Sequence, residues 1–172
     1  MKITIRKVLP EDAYNYAVLH INCWKDAYTG IIPDTYLENM STQLEQRTER
    51  SRQNISNPDG CEYLCAVANS KMIGRLVYSK CRNEDKLEAG EINAIYLLAN
   101  YWGKGYGKQI MDYAISKLKQ ANYPEVIVWV LEENYRARSF YEKYGFILDG
   151  THKDIEIGKT LVEVRYTLDL TK

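Results

Sequence analysis

The sequence predicts an α/β (α+β) chain, a mixed central sheet with helices on its faces, and three observations carry that reading. Cys61 to Ala68 and Lys71 to Lys80 are extended runs separated only by Asn69-Ser70, the sign of a tight hairpin. Val126 to Leu131 is an unbroken β-branched and aromatic run, as expected of a mid-sheet strand buried on both faces. Around these lie segments whose apolar residues recur at helical spacing. The 172 residues, 45% hydrophobic and 27% charged, suit one folded domain over residues 1–172 and exclude disorder as the main state.

In chain order, Lys2 to Lys7 alternates as a first strand, and Pro10 with two acidic residues opens a helix. Ala13, Tyr16, Ala17, His20, Ile21, Trp24, Ala27 and Tyr28 form the stripe of that helix, about four to five turns long. Thr29-Gly30 ends it, Pro33 opens a short helix holding Tyr36 and Leu37, and Ser41 caps a further one through about Asn54. After the turn-rich 54–60 segment and the hairpin, a polar loop from Cys81 to Lys86 leads to a third run, Leu87 to Leu98. Ile110, Met111, Ala114, Ile115 and Leu118 mark the next helix, which stops before Pro124. Ala137, Phe140, Tyr141 and Tyr144 stripe a last helix that Gly145 terminates. Phe146 onward and Thr160 to Leu170 close the chain as a hairpin around Ile157-Gly158-Lys159. The order is β-α-α-β-β-β-α-β-α-β-β, without internal repeat or linker.

Twenty-three basic residues balance twenty-three acidic ones, so no global field recruits nucleic acid or an anionic membrane. No run approaches the roughly 20 apolar residues of a membrane span, and the alternating N-terminus lacks the core of a secretory signal, so a cytoplasmic location is expected. Cys23, Cys61, Cys65 and Cys81 include no CxxC pair, and with only His20 and His152 beside them they read as reduced thiols; no metal site is expected. Fifteen tyrosines suggest half-buried rings whose hydroxyls meet water or a ligand.

The most informative segment is Tyr101-Trp102-Gly103-Lys104-Gly105-Tyr106-Gly107-Lys108, between a strand and a helix. Glycines at alternate positions leave backbone N–H groups unscreened, and the helix that follows adds its positive dipole end, a geometry suited to phosphate. Lys104 and Lys108 can add charge to the same anion. A P-loop would need glycine in place of Trp102 and Ser or Thr in place of Gln109; a dinucleotide fingerprint would need glycine in place of Lys108 or Ile110.

This segment resembles motif A of the GCN5-related N-acetyltransferase (GNAT) family, [Q/R]-x-x-G-x-[G/A], with Gly105 and Gly107 at the two small positions and Trp102 where Gln or Arg is usual. Val130 to Phe146 resembles the family's motif B through Asn134, Ala137, Phe140-Tyr141 and Gly145-Phe146. The resemblance covers roughly residue 61 to the C-terminus. It implies the GNAT fold, a mostly antiparallel sheet of about seven strands splayed after strand 4 and flanked by about four helices. It also implies acetyl-CoA as co-substrate, its pantetheine on the backbone of Ile95, Tyr96 and Leu97 and its pyrophosphate on the amides of Gly103, Lys104, Gly105, Tyr106, Gly107 and Lys108. Asn134 and Ala137 fall at cofactor-contacting positions, with Asn134 equally able to cap the helix.

The implied reaction is attack of a neutral amine on a thioester, which needs a base for the ammonium and an acid for the departing thiolate. Tyr141 matches the family's tyrosine acid, and Glu91, counted from the glycine motif, falls where some members carry a glutamate base. His20 to Pro33 occupies the region that normally walls the acceptor site. There Trp24 and Tyr28, one turn apart, share a face on which a cation or apolar amine could lie beside Asp26 or Asp34; core packing is the competing use of such a stripe, and for His20 the more usual one. The expected activity is acetyl transfer to a primary amine of a small molecule or peptide. The alternatives are a protein N-terminal or lysine acetyltransferase, or a non-catalytic acyl-CoA sensor. A homodimer is compatible with the exposed tyrosines and closing hairpin.

Overall fold

The computed structural model describes residues 3–172; the expected start of the first strand at Lys2 lies outside them. Seven strands, β1 (Thr4–Lys7), β2 (Glu62–Ala68), β3 (Lys71–Lys80), β4 (Gly90–Leu97), β5 (Glu125–Leu131), β6 (Ile147–Glu156) and β7 (Thr160–Asp169), form one sheet in the order β1-β2-β3-β4-β5-β7-β6. Every neighbouring pair is antiparallel except β4 and β5, which run parallel across the α-helical crossover between them. The helices are α1 (Ala13–Tyr28), α2 (Asp34–Thr42), α3 (Leu44–Ser56), α4 (Tyr106–Gln120) and α5 (Tyr135–Tyr144).

The apolar stripes decide which helix covers which face. Ile110, Met111, Ala114, Ile115 and Leu118 of α4 are all buried in one cluster with Leu64, Ile73, Leu76 and Ile92 and with Val126, Val128 and Val130 of β5. Gly90 permits that contact, because a Cβ there would stand 2.7 Å from Leu118. The alternate β5 residues face the other way: Ile127 packs with Cys81 and Ala89, and Leu131 with Ile21, Ile32, Leu37 and Met40 of the α1–α2 layer. Strand β5 is thus buried on both faces, as its unbroken apolar run predicts.

At the β2–β3 turn Asn69 and Ser70 both take positive φ (47° and 59°), the two-residue geometry that matches strand twist. The entrance to α1 is held by Asp12, which accepts the Leu9 N–H at 2.9 Å and pairs with Arg6 of β1 at 2.6 Å. Edge strand β6 bulges between Leu148 and His152, and the displaced Asp149 and Thr151 bind the guanidinium of Arg165, 3% exposed on β7, which Asp85 also clasps.

The five α-helices among the described residues match the five helical segments read from the sequence, α2 and α3 both preceding β2. Two local expectations are corrected. Ser41 does not cap a helix: it lies in the last turn of α2, where its hydroxyl accepts from Lys25 Nζ at 2.7 Å, and α3 begins at Leu44 and runs past Asn54 to Ser56. Strand β4 starts at Gly90 rather than Leu87, because Glu84–Lys86 forms a 3₁₀ turn and Ala89 N–H bonds back to Lys86 O.

Candidate active site

Strands β4 and β5 pair at only three positions, Gly90 with Val126, Glu91 with Ile127 and Ile92 with Val128. Each keeps its outer neighbour much further, β4 staying with β3 to Leu97 and β5 with β7 to Leu131, so beyond Ile92 the two inner edges part. Asn93 is an extra residue there, since Ile92 lies opposite Tyr78 and Ala94 opposite Val77; such a bulge bends and twists its strand. The gap is a cavity of about 610 Å³ walled by Glu91 to Leu97 and Val128 to Leu131. Ile95, Tyr96 and Leu97 therefore line it, on an edge with no partner strand.

One end of the cavity meets the glycine turn. Gly103 (φ 69°) and Gly105 (φ 80°) occupy the left-handed region, where a side chain is strained, and Gly105 is the N-cap of α4 with no side chain to satisfy the first turn. From Gly103 to Lys108, no N–H donates to a protein acceptor among the described residues. The run of free amides and the helix dipole make an anion cradle. Gly103, Gly105, Gly107 and Lys108 line the cavity. Tyr106 contributes through its amide, its ring being buried against Tyr101 at 6.1 Å. Lys104 Nζ turns away to the Asn100 carbonyl at 2.8 Å, and Lys108 Nζ pairs with Asp112 at 2.8 Å.

Trp102, the departure from the motif, uses its indole N–H to bond the Leu97 carbonyl at 2.7 Å, so that backbone oxygen already has a donor. The guanidinium of Arg136 lies over its ring, with Cζ 3.1 Å from the centroid. Asn134 caps α5 by accepting the Ala137 N–H at 3.2 Å, and both residues line the cavity. Gly145 (φ 114°) closes that helix by donating to Tyr141 and Glu142 carbonyls.

Tyr141 and Glu91 open onto the same cavity. The Tyr141 ring is held by Phe140, Phe146 and Tyr166 at 5.6, 5.7 and 6.2 Å, and its hydroxyl makes no hydrogen bond among the described residues. Burial raises its pKa well above that of an ordinary phenol. Burial also raises the Glu91 carboxyl above the usual carboxylate value, with Lys153 opposing the shift. Tyr28 reaches the cavity and shares a hydrogen bond with Tyr96 at 3.0 Å between hydroxyls. Trp24 stays outside its lining, edge-on to Tyr28 at 5.1 Å and packed on the α2 cluster. His20, 5.3 Å from Trp24, is pulled down to about 2 by burial and the charges of Arg75 and Arg47, so it stays neutral and uncharged near pH 7.

Sequence reasoning assigned no role to Arg136, Trp129, Lys153 or Glu163, all of which line the cavity. Lys153 and Glu163 face each other across the closing hairpin, 3.3 Å apart, with the Lys153 ammonium 4.0 Å from the Trp129 ring centroid. Only the β5–β7–β6 register brings them to Glu91. Among the described residues no cluster of three or more His, Cys, Asp or Glu is arranged to hold a metal, and no helix is long and apolar enough to cross a membrane.

The profile of the acetyltransferase (GNAT) family matches residues 24–146. A probable N-acetyltransferase of Mycobacterium tuberculosis is 29% identical over 149 residues, covering 86% of this chain and 82% of the relative. The spermidine N(1)-acetyltransferase of Thermoplasma acidophilum is 26% identical over 153 residues, covering 88% and 92%. The crystal structure of the PaiA N-acetyltransferase of that organism, in complex with coenzyme A, superposes with a TM-score of 0.76 over 98% of this chain and 99% of that one, at 24% identity.

Proposed function

Because the chain belongs to the acetyltransferase (GNAT) family and is thus an acetyl-CoA-dependent N-acetyltransferase, we propose that it acetylates the primary amine of a small cationic molecule, with Glu91 as base and Tyr141 as acid. The observation that carries the reading is that a half-buried carboxyl and a buried phenol open onto one cavity whose far end is an anion cradle.

The residues present fit acetyl-CoA. Free amides from Gly103 to Lys108 would hold the pyrophosphate, and the edge of β4 from Ala94 to Leu97, which pairs with no strand and has only its Leu97 carbonyl engaged by Trp102, would hold the pantetheine amides. When bound there, the cofactor supplies an activated acetyl thioester. Glu91 takes the ammonium proton, and its raised pKa brings it nearer to neutral pH, where a base is most useful. Tyr141 stays protonated at every working pH. Since a thiol has a pKa of about 8.5, full transfer from so weak an acid is uphill, and the phenol acts first as a hydrogen-bond donor to the sulfur as charge builds.

A small acceptor is supported by the cavity's remaining wall. Glu91 offers negative charge and Tyr28 a ring, a combination that attracts an alkylammonium. The spermidine acetyltransferase relative points to the same class. The test is acetyl-CoA-dependent thiol release over polyamines, amino acids, aminoglycosides and short peptides, with Tyr141→Phe as control. Turnover of polyamines or other small amines supports the reading. Turnover of peptides alone overturns the acceptor class, and silence across the panel despite acetyl-CoA binding overturns the proposed acceptor chemistry.

A further inference from the structure

We propose that Arg136 is a pyrophosphate ligand of acetyl-CoA, seated for that purpose on the indole of Trp102. The proposal rests on the cavity's being the acetyl-CoA site, and goes beyond it in assigning a charged ligand that the motif comparison leaves out.

The argument begins with charge accounting around the cradle. Lys104 is bonded to a carbonyl, Lys108 is paired with Asp112, and Lys153 with Glu163. Arg138, two residues on and on another face of the same helix, donates to Tyr166 Oη and the Glu132 carbonyl, each at 3.0 Å. Arg136 differs from all of these: it lines the cavity while its side chain remains exposed, and among the described residues it has neither a carboxylate within ion-pair distance nor any hydrogen-bond acceptor. Burial lowers its pKa, and the pull of Asp26 and Tyr28 does not make up the difference. The Asp26 carboxylate is itself engaged with the Ala99 N–H at 2.8 Å.

What holds Arg136 in place is the indole face at 3.1 Å. A guanidinium stacked on an aromatic ring keeps its donors along its edge, free for a second partner. Trp102 is fixed in turn by its bond to the Leu97 carbonyl. The indole stands at the entrance of the glycine turn, directly before Gly103. The result is a cation seated on an indole, with five uncommitted N–H donors, beside a cradle of unpaired amides. Its complement is an oxyanion carrying more than one charge, and a diphosphate offers acceptors to both the fork and the amides. The indole thus replaces the polar side chain of the motif by positioning a charge from another helix.

Titration calorimetry of CoA and dephospho-CoA against the native protein, Arg136→Gln, Arg136→Lys and Trp102→Leu tests this. A native protein that binds neither ligand refutes the cofactor site itself. If it binds, Arg136→Gln is expected to weaken both ligands equally, by about 10- to 100-fold, with Arg136→Lys in between because it keeps the charge and loses the fork. The native affinity should also fall more steeply with salt than that of Arg136→Gln. Trp102→Leu is expected to weaken both ligands although it removes no charge. Unchanged affinities in the Arg136 variants overturn the proposal, as does a loss seen with CoA but absent with dephospho-CoA, which assigns the arginine to the 3′-phosphate. An undiminished Trp102→Leu overturns the seating.

Discussion

Replacing Tyr141 by Phe removes one oxygen from a residue that is 6% exposed and wedged among Phe140, Phe146 and Tyr166. The ring contacts survive, and no hydrogen bond is broken among the described residues, so the folded state loses little. The expected stability change is within about 1 kcal/mol, or a shift of no more than about 3 °C in Tm for a chain of this length. Acetyl-CoA affinity should likewise hold, since the cradle and the β4 edge are untouched. Turnover is where the loss belongs: a positioned acid contributes about 10²- to 10⁴-fold, which is about 2.7–5.4 kcal/mol of barrier. The assay is steady-state thiol release beside calorimetric acetyl-CoA titration and thermal melting. A kcat within twofold of native removes Tyr141 from the chemistry. A fall in kcat matched by a collapse in Tm or in acetyl-CoA affinity instead refutes the claim that the hydroxyl is structurally idle. The native enzyme should show no alkaline loss attributable to this phenol below its ordinary pKa of about 10, because burial moves its ionisation upward.

Glu91→Gln should abolish the acidic limb of the native pH–rate profile, a limb lying above the ordinary carboxylate range. The same change should raise stability at pH 7 relative to pH 4: burial raises the native pKa, so the carboxylate form costs stability once pH exceeds that value, and Gln lifts the cost; equal melting shifts at both pH values would contradict this. Gly105→Ala should fold with a loss of about 1–2 kcal/mol from its left-handed φ, since no atom lies within 4 Å of the new Cβ, whereas Gly105→Asp should also abolish acetyl-CoA binding; calorimetry showing undiminished affinity for the Asp variant would reject the cradle. Arg165→Met should cost about 3 kcal/mol in urea unfolding, because it strands the mostly shielded Asp149 carboxylate beneath the β6 bulge; a loss under about 1 kcal/mol would show that water replaces the guanidinium there.

The parts of the fold that sequence made legible are those decided by near neighbours. The stripe from Ile110 to Leu118 has only one way to bury itself, and Asn69-Ser70 joins two strands with no residues to spare for another turn. Ser41 is the contrary case. Its type suits an N-cap, but Lys25, sixteen residues earlier on α1, claims its hydroxyl, and nothing in the sequence around Ser41 announces that contact. The Leu87–Ala89 stretch fails similarly, its apolar residues being drawn into a turn that closes on Lys86.

In the site, the same division separates motif from register. The glycine turn, the Asn134 cap and the Tyr141 stripe are local and were readable; the Lys108–Asp112 pair at i, i+4 is equally local, yet the sequence reading gave Lys108 to the anion. Trp24 and Tyr28 share a helical face, but the face is wider than the cavity mouth: Tyr28 meets Tyr96 at the opening, while Trp24, one turn earlier, falls on the α2 cluster. The splay itself comes from two strands holding their outer partners longer than each other, a property of pairing lengths that no single segment encodes. Arg136 shows why a departure from a motif deserves a search elsewhere in the fold. Position 102 reads as a lost polar contact when taken alone, yet the indole there fixes a guanidinium arriving from α5, and the charge missing from one helix entrance is supplied across the cavity by the next.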